Sequence, residues 1–326
     1  MESPPDMKPA LIVVGMHRSG TSATTGALQC VGVQLGKKLY KGHSDINAKG
    51  YFEHSDIADA NEEALLAIGS SWDDILTKDE GWWKRGELLP HAEKIRQYLR
   101  RDFASSPLWA VKDPRVSRML PWWMEILRDE GISPHFIFVV RSPEAVYKSL
   151  EKRDGFSREK SFMLWLLHYL EAEKESRGCP RTFTLFESFL ENPADELFRM
   201  ENELGIRFPV SVDQARSCLD GFLSRDLRNH KGSNAVDAGT PVVRLARKME
   251  ARLKEAAEGK PTDTEDLWRE LRKIEAGYPP LLVEQLKGMG KRRGDLELYM
   301  HRTERSYSRY AGKPVRYVER LFGRNV

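Results

Sequence analysis

The residue pattern best suited to chemistry lies in residues 10–32, ALIVVGMHRSGTSATTGALQCVG. An apolar run ends at Gly15, four residues separate it from Gly20, and a helical pattern opens there with Thr21 and Ser22. Glycines let a backbone approach an anion closely, and the amides at a helix start present the positive end of the helix dipole. The spacing therefore predicts a loop that binds a phosphate-like group.

The cation of this loop is an arginine. A nucleotide triphosphatase has Lys directly after the second glycine, and here that position is Thr21. Arg18 lies inside the loop instead, and a guanidinium can bind two oxygens of a phosphate or sulfate at once. The pattern weakens an ATPase interpretation and leaves Arg18 with the amides of Ser19 to Ser22 as anion ligands. A plain glycine turn between a strand and a packed helix is the alternative.

A second signature, RSPEAVYKSL, begins at Arg141. Arg141 follows the apolar run His135 to Val140, and Pro143 suits the first turn of a helix. Ser149 then lies nearly two turns into that helix. A cation and a hydroxyl could converge there on a second anion, although an ordinary capped helix after a strand would show the same residues.

A third signature, KDPR at residues 112–115, follows the short buried run Leu108 to Val111. Lys112 leaves this strand abruptly, beside the first loop, where a cation would stabilise charge that develops during group transfer. A salt bridge to Asp113 or to another neighbour is the alternative for Lys112, and we favour the functional role.

Apolar runs alternate with helical patterns along most of the chain, which predicts an α/β fold of the P-loop type in three layers. The expected strands are Ala10 to Val14, Leu108 to Val111, His135 to Val140 and Arg181 to Phe186. Such strands form a parallel sheet that helices cover on both faces, with ligands at the carboxyl ends of the strands. The three charged signatures all follow those ends.

Three segments are expected: a flexible terminus (1–8), the α/β domain (9–239) and a basic helical extension (240–326). Within the extension, apolar residues recur at helical spacing, a capping box is expected at Thr262 with Glu265, and short basic helices are expected after Pro280. Residues 241–326 hold 20 Lys and Arg against 13 Asp and Glu, whereas the first 240 residues hold 32 against 36. Solvated helix faces explain such charge, and an acidic or membrane-surface partner is the alternative.

Composition favours a soluble protein with a large core, because 40% of the 326 residues are hydrophobic. No apolar run is long enough for a membrane span, and the first residues lack the order of a secretory signal. Cys30, Cys179 and Cys218 are scattered without paired spacing, which predicts unpaired core cysteines and a cytoplasmic location. No set of residues has metal-ligand spacing, so no metal is expected.

The first two signatures, in this order, resemble the sulfotransferases that use 3′-phosphoadenosine 5′-phosphosulfate (PAPS). GMHRSGTS (15–22) is similar to their 5′-phosphosulfate loop, and Arg141 with Ser149 is similar to their 3′-phosphate motif. Further segments resemble the bacterial branch of that family, over residues 9–232: residues 50–72, KDPR, RDGF (153–156) and LRNH (227–230).

Two departures qualify the resemblance. Cytosolic small-molecule enzymes carry Lys where this chain has Arg18, so the loop is similar to those of tyrosylprotein and carbohydrate sulfotransferases. The family's frequent Tyr-Glu pair after the fourth strand is replaced by Phe186 and Glu187.

The resemblance implies PAPS as cofactor and 3′-phosphoadenosine 5′-phosphate (PAP) as product. It implies these cofactor-binding residues: Gly15, Arg18, Ser19, Gly20, Thr21, Ser22, Arg141, Ser149 and Arg228. Arg153 and Lys231 are further candidates, and Trp72 either stacks on adenine or packs in the core.

For the transfer itself, Arg18 and Lys112 would stabilise negative charge. An acceptor hydroxyl also needs a general base. Glu53 is the first choice, because the Arg-type enzymes use a Glu after the first helix. His17, His43 and His54 are the alternatives, and His17 is also placed to bind the backbone or the acceptor.

The expected activity is sulfuryl transfer to a hydroxyl of a saccharide or glycan precursor, with no nucleic-acid partner. A P-loop kinase of a small molecule is the second hypothesis, and the Thr at position 21 counts against it. A non-catalytic binding protein with this fold is the third.

Overall fold

The structure, a computed structural model, describes residues 8–40, 50–223 and 239–311. At its centre lie four parallel strands in the order β2-β1-β3-β4. They are β1 (Lys8–Val14), β2 (Trp109–Lys112), β3 (Ile132–Val140) and β4 (Arg181–Leu185). All four predicted strands are present, with ends that differ by up to three residues. The terminus expected to be flexible lies outside the described residues except for Lys8, the first residue of β1.

Strand β1 explains why its sequence is an unbroken apolar run. Its side chains are buried on both faces of the sheet: Ile12 and Val14 belong to one hydrophobic core, and Leu11 and Val13 belong to the other. A parallel sheet covered on both faces buries successive residues alternately. The two cores are the two helix-sheet interfaces of a three-layer α/β fold, as the sequence predicts.

Twelve α-helices are found in the described residues. They are α1 (Thr21–Cys30), α2 (Ser55–Ala67), α3 (Leu89–Phe103), α4 (Leu120–Asp129), α5 (Pro143–Asp154), α6 (Arg158–Glu175), α7 (Phe186–Glu191), α8 (Pro193–Leu204), α9 (Val212–Phe222), α10 (Pro241–Ala257), α11 (Glu265–Ala276) and α12 (Pro280–Ala311). None of them is long and apolar enough to cross a membrane.

Helices α10 and α11 complete the core on one face of the sheet. Val243, Met249 and Leu267 are buried in the same cluster as Ile12 of β1. The predicted capping box at Thr262 is wrong, because α11 begins after Thr264 and Thr264 does not cap it. The Thr264 hydroxyl instead donates to the buried carboxylate of Glu173 on α6, at 2.6 Å. That bond ties the connection between α10 and α11 to the sheet domain.

The short basic helices expected after Pro280 are wrong as well, because α12 is a single helix of 32 residues. Two glycines let it lie directly against the end of α2. A Cβ atom on Gly290 would be 2.4 Å from the Gly69 carbonyl oxygen, and one on Gly294 would be 2.4 Å from that of Leu66. Glycine in the interior of a helix weakens it by up to about 1 kcal/mol, but here it permits the close packing.

The prediction of unpaired cysteines is wrong for two of the three. Cys30, at the end of α1, forms a disulfide with Cys218 on α9, and 188 residues separate them in sequence. Cys179 is a partly buried free thiol. Cysteine spacing does not reveal a pair that only tertiary folding brings together. The bond removes the argument from unpaired cysteines for a reducing compartment.

Candidate active site

The loop between β1 and α1 needs its two glycines for different reasons. A Cβ atom on Gly15 would be 2.8 Å from the Val139 carbonyl oxygen, so the loop can lie against β3 only without a side chain. Gly20 has a φ of 92°, in the left-handed region, and its Cβ would be 2.0 Å from the Phe186 ring. Both positions therefore exclude any larger residue.

The start of α1 has no side-chain cap. Gly20 is the N-cap residue and has no side chain to cap the first amides of the helix, and its first turn contains no acidic residue. The uncapped amides carry the positive end of the helix dipole. Ser19 and Thr21 are buried in the loop, whereas Ser22 is partly exposed. The predicted phosphate loop thus has the geometry of an anion cradle.

Arg18 joins the loop to the second signature. Its Nε donates to the Ser149 hydroxyl on α5 at 2.8 Å. Arg141, at the end of β3, donates from Nη1 to the Arg18 carbonyl oxygen at 3.1 Å. The two anion-binding motifs predicted from the sequence, more than 120 residues apart, therefore form one continuous site.

Three guanidinium groups crowd this site. Burial, followed by the charges of Arg153 and Arg141, lowers the pKa of Arg18. Burial also lowers the pKa of Arg141, whose guanidinium lies over the Phe186 ring at 4.8 Å. The Arg141 Nε is buried and has no hydrogen-bond partner among the described residues. Crowded cations with a donor to spare favour a multiply charged anion.

Lys112 lies beside the loop, at the end of β2. Its side chain is 1% exposed, and its Nζ lies 2.6 Å from Glu53 Oε1 and 3.3 Å from the Ser22 hydroxyl. The alternative for Lys112 was a salt bridge to Asp113 or to another neighbour. The pairing with Asp113 does not occur, because Asp113 accepts from the Arg115 amide and from Asn61, but the salt bridge to another neighbour does, with Glu53. The first-choice base and the predicted catalytic cation therefore form an ion pair at the phosphate loop.

Backbone strain is found in the loop and directly before Glu53. Among the described residues, the non-glycine residues with positive φ are Arg18, at 70°, and Phe52, at 55°. Such conformations cost about 1–3 kcal/mol each and persist where the surrounding structure enforces them. Phe52 directly precedes Glu53, so one of the two strained residues adjoins the candidate base.

Two of the histidine candidates differ in their surroundings. The His54 Nδ1 accepts from the Ile57 amide and caps α2, and its Nε2 lies 2.7 Å from Asp102 Oδ2. His17 packs against Trp72, with ring centroids 4.5 Å apart, and burial followed by the charge of Arg115 lowers its pKa. His54 thus has a structural role, whereas His17 stays a candidate.

The remaining candidates are only partly placed. His43, Arg228 and Lys231 lie outside the described residues. Trp72 is half-buried between His17 and Phe156, and the Arg153 guanidinium lies 5.4 Å from its ring centre. Protein groups therefore already surround the indole that was a candidate for adenine stacking. Within the described ranges, no three His, Cys, Asp or Glu side chains gather as a metal site.

Sequence reasoning missed several residues that shape the site. Tyr169 on α6 has its hydroxyl 2.5 Å from the Val139 carbonyl oxygen and 3.1 Å from the Ser19 hydroxyl. Ser117 accepts from the Gly15 amide at 3.0 Å. His168, beside Tyr169, is fully buried. The sequence of α6 did carry a signal, because most of its positions are apolar. Polar residues in such a helix are buried, and they need either a hydrogen-bond partner or a function.

His168 makes the stability of the fold depend on pH. Burial, followed by the charge of Arg118, holds its pKa well below the ordinary value. The unfolded chain therefore binds one more proton than the folded chain below about pH 6.5, and stability falls there by about 1.4 kcal/mol per pH unit until the folded pKa is reached. We expect His168→Gln to remove that slope, measured by urea unfolding between pH 5 and 7.5. The pKa of His17 is lowered as well, so the His168→Gln protein keeps the part of the slope that comes from His17. Equal slopes in the wild-type and variant proteins would contradict the prediction.

No protein-family model matches the chain. No curated protein matches it either. Among solved structures, the sulfotransferase domain of the Synechococcus PCC 7002 olefin synthase is 18% identical, covers 76% of this chain and 98% of its own, and gives a TM-score of 0.43. Sulfotransferase STF1 from Mycobacterium tuberculosis H37Rv is 14% identical and covers 75% and 77%, at 0.44. Sulfotransferase STF9 from Mycobacterium avium is 14% identical and covers 84% and 77%, at 0.42. Likeness of this degree does not carry an activity or a substrate across.

Proposed function

We propose that this protein is a sulfotransferase that moves a sulfuryl group from PAPS to an acceptor hydroxyl. The observation that carries the proposal is the 2.8 Å bond from Arg18 Nε to the Ser149 hydroxyl, which joins two anion-binding motifs into one site. A nucleotide with phosphate groups at both its 3′ and 5′ positions needs two such motifs side by side. Thr21, in place of the lysine of nucleotide triphosphatases, argues against the kinase hypothesis.

The residues present fit this cofactor. The loop from Gly15 to Ser22 is a cradle that Cβ atoms at its two glycines would fill, and it suits the phosphosulfate end. Arg141, whose buried Nε has no hydrogen-bond partner in the part of the chain that the structure describes, and Ser149 suit the 3′-phosphate. The cofactor supplies the sulfuryl group when bound; the protein supplies position and fixed positive charge.

In this proposal, Glu53 and Lys112 serve the acceptor side. Glu53 removes the proton of the acceptor hydroxyl, and the proton stays on the Glu53 carboxylate. Lys112 and Arg18 stabilise the negative charge that develops beside the loop as the acceptor oxygen attacks. The Lys112 ammonium, 2.6 Å from Glu53 Oε1, holds the carboxylate in position before the acceptor arrives.

The first experiment is calorimetric titration with PAP in the absence of magnesium. We expect a dissociation constant in the micromolar range or tighter. Arg141→Ala should weaken PAP binding about 10- to 100-fold, the effect of a lost charge-assisted hydrogen bond, and should leave adenosine 5′-monophosphate binding nearly unchanged. No binding of PAP, or binding only of ATP with magnesium, would rule out the proposal.

We further propose a saccharide or glycan precursor as the acceptor, on the basis of the arginine-type loop. An acidic or membrane-surface partner for the basic C-terminal segment also stays a proposal; of its cations, Lys287 and Arg293 pair with Asp79 and Asp73.

The division into a transferase domain (9–239) and an extension (240–326) stays a prediction. Because Cys30 and Cys218 are bonded, the cytoplasmic location has lost its support and we propose no compartment.

A further inference from the structure

Two histidines, one in the phosphate loop and one on α6, have buried ring nitrogens without partners among the residues that the structure describes. The Nε2 atoms of His17 and His168 are buried, and neither has a hydrogen-bond partner among the described residues. The two rings meet nearly edge-on, with centroids 6.2 Å apart and an interplanar angle of 78°. Leaving a buried polar atom unpaired costs about 1–3 kcal/mol, so two neighbouring cases require an explanation.

The tautomer of His168 follows from its other nitrogen. Its Nδ1 lies 2.7 Å from the Leu164 carbonyl oxygen, which can only accept, so Nδ1 carries the proton. Burial and the neighbouring charges of Arg118 and Lys78 keep the ring neutral, because they hold its pKa well below the ordinary value. Nε2 of His168 is then an acceptor only. It requires a partner that brings a proton, which sulfate and ionised phosphate oxygens do not.

A hydroxyl group satisfies both rings. One hydroxyl can donate its proton to His168 Nε2 while its oxygen accepts from a protonated His17 Nε2. Each such bond spans about 2.9 Å. The ring centroids of the two histidines lie 6.2 Å apart, so the rings are near enough for one hydroxyl to lie between them. His17 is itself part of the phosphate loop, so a hydroxyl bound there lies next to the anion site.

We propose that His17 and His168 form a binding site for a second hydroxyl of the acceptor, one that does not react. The inference rests on the proposed sulfotransferase function and deepens it. Glu53, paired with Lys112, serves the reacting hydroxyl, which leaves the histidine pair to position a neighbouring one. The acceptor class is therefore a compound with at least two hydroxyl groups close together, such as a sugar ring. A bound water would offer the same chemistry, and the experiment separates the two.

The test compares two matched acceptors, a cyclohexane diol with adjacent hydroxyls and cyclohexanol, with PAPS as donor. In the wild-type protein we expect kcat/KM to favour the diol by about 3- to 10-fold, the effect of one hydrogen bond. His168→Leu should abolish that preference, and His168→Gln, which keeps an acceptor atom, should restore part of it. PAP binding by calorimetry should change less than about twofold in both variants, because His168 is placed on the acceptor and not on the phosphates. Equal kcat/KM for diol and alcohol in the wild type overturns the inference.

If neither compound is sulfated, a binding measurement tests whether the two histidines bind a hydroxyl of the acceptor. With ¹⁵N-labelled histidine and saturating PAP, addition of the diol should shift the His168 Nε2 resonance towards a hydrogen-bonded position, and cyclohexanol should not. A resonance that is already hydrogen-bonded and does not respond identifies a bound water and overturns the inference, as does an unbonded resonance that does not move. Failure of PAP itself to bind would instead contradict the proposed function.

Discussion

Glu53→Gln is expected to lower kcat for sulfuryl transfer by about 10²- to 10⁴-fold, the usual contribution of a general base. The amide keeps the size of the carboxylate and an oxygen that can accept from Lys112, but it cannot take the proton of the acceptor. PAP binding should change by less than about threefold, since the two phosphate motifs are intact. The measurement is single-turnover transfer from labelled PAPS, together with calorimetry on the same preparation.

A stability effect must be separated from the catalytic one. Lys112 is 1% exposed, and removing the charge of its partner leaves a buried ammonium that can destabilise the fold by about 3–5 kcal/mol. Glu62→Gln is the matched control, because Glu62 on α2 also pairs with a cation after β2, Arg115, at 2.5 Å. We expect it to destabilise the protein without slowing transfer more than about threefold.

The double variant Glu53→Gln/Lys112→Met then distinguishes the two roles. Replacing both members of the buried pair should recover stability relative to Glu53→Gln alone, but it should not recover kcat. A Glu53→Gln protein that transfers at the wild-type rate would exclude Glu53 as the base. His17 would then be the remaining candidate within the described residues.

Local features of this fold were readable in the sequence, because their causes are local. The apolar run of β1 and the glycines of the loop each reflect a constraint that acts within a few residues. The same is true of the helix that Ser142 caps and Pro143 opens. These features predicted the parallel sheet, which is confirmed, and they placed the loop after β1 and the helix after β3 that carry the candidate anion-binding residues.

What the sequence did not reveal depends on residues far apart in the chain. The Cys30–Cys218 bond and the Lys112–Glu53 pair become visible only when helices and strands are packed. The start of α11 was misplaced at Thr262 for the same reason, because the hydroxyl of the actual N-cap residue, Thr264, donates to a buried carboxylate on α6 instead of capping the helix. His168 was missed since a polar residue in an apolar helix gives no sign of which groups it faces.

Gly20→Ala is expected to lower stability and to weaken PAP binding by about 5- to 150-fold, the equivalent of the roughly 1–3 kcal/mol that displacement of the Phe186 ring costs at the loop. The left-handed backbone alone costs an L-residue about 1–2 kcal/mol. The added Cβ would also lie 2.0 Å from the Phe186 ring, and displacing a packed ring costs a further 1–3 kcal/mol or so. Phe186 also lies under the Arg141 guanidinium, so its displacement disturbs the second anion motif as well as the first. Calorimetry with PAP measures the loss.

Gly81→Ala supplies the matched control, because Gly81 has a φ of 73° and a Cβ there would meet nothing within 4 Å. It should lower the free energy of unfolding only by the cost of the left-handed backbone, about 1–2 kcal/mol, and leave PAP binding unchanged. In a Phe186→Ala background, which already lacks the ring, Gly20→Ala should lower stability no more than Gly81→Ala does. If Gly20→Ala weakens PAP binding equally with and without the Phe186 ring, the contact is not what shapes the loop. This chain has Phe186 where the sulfotransferases that it resembles often have Tyr. That difference would then have no effect on the anion site.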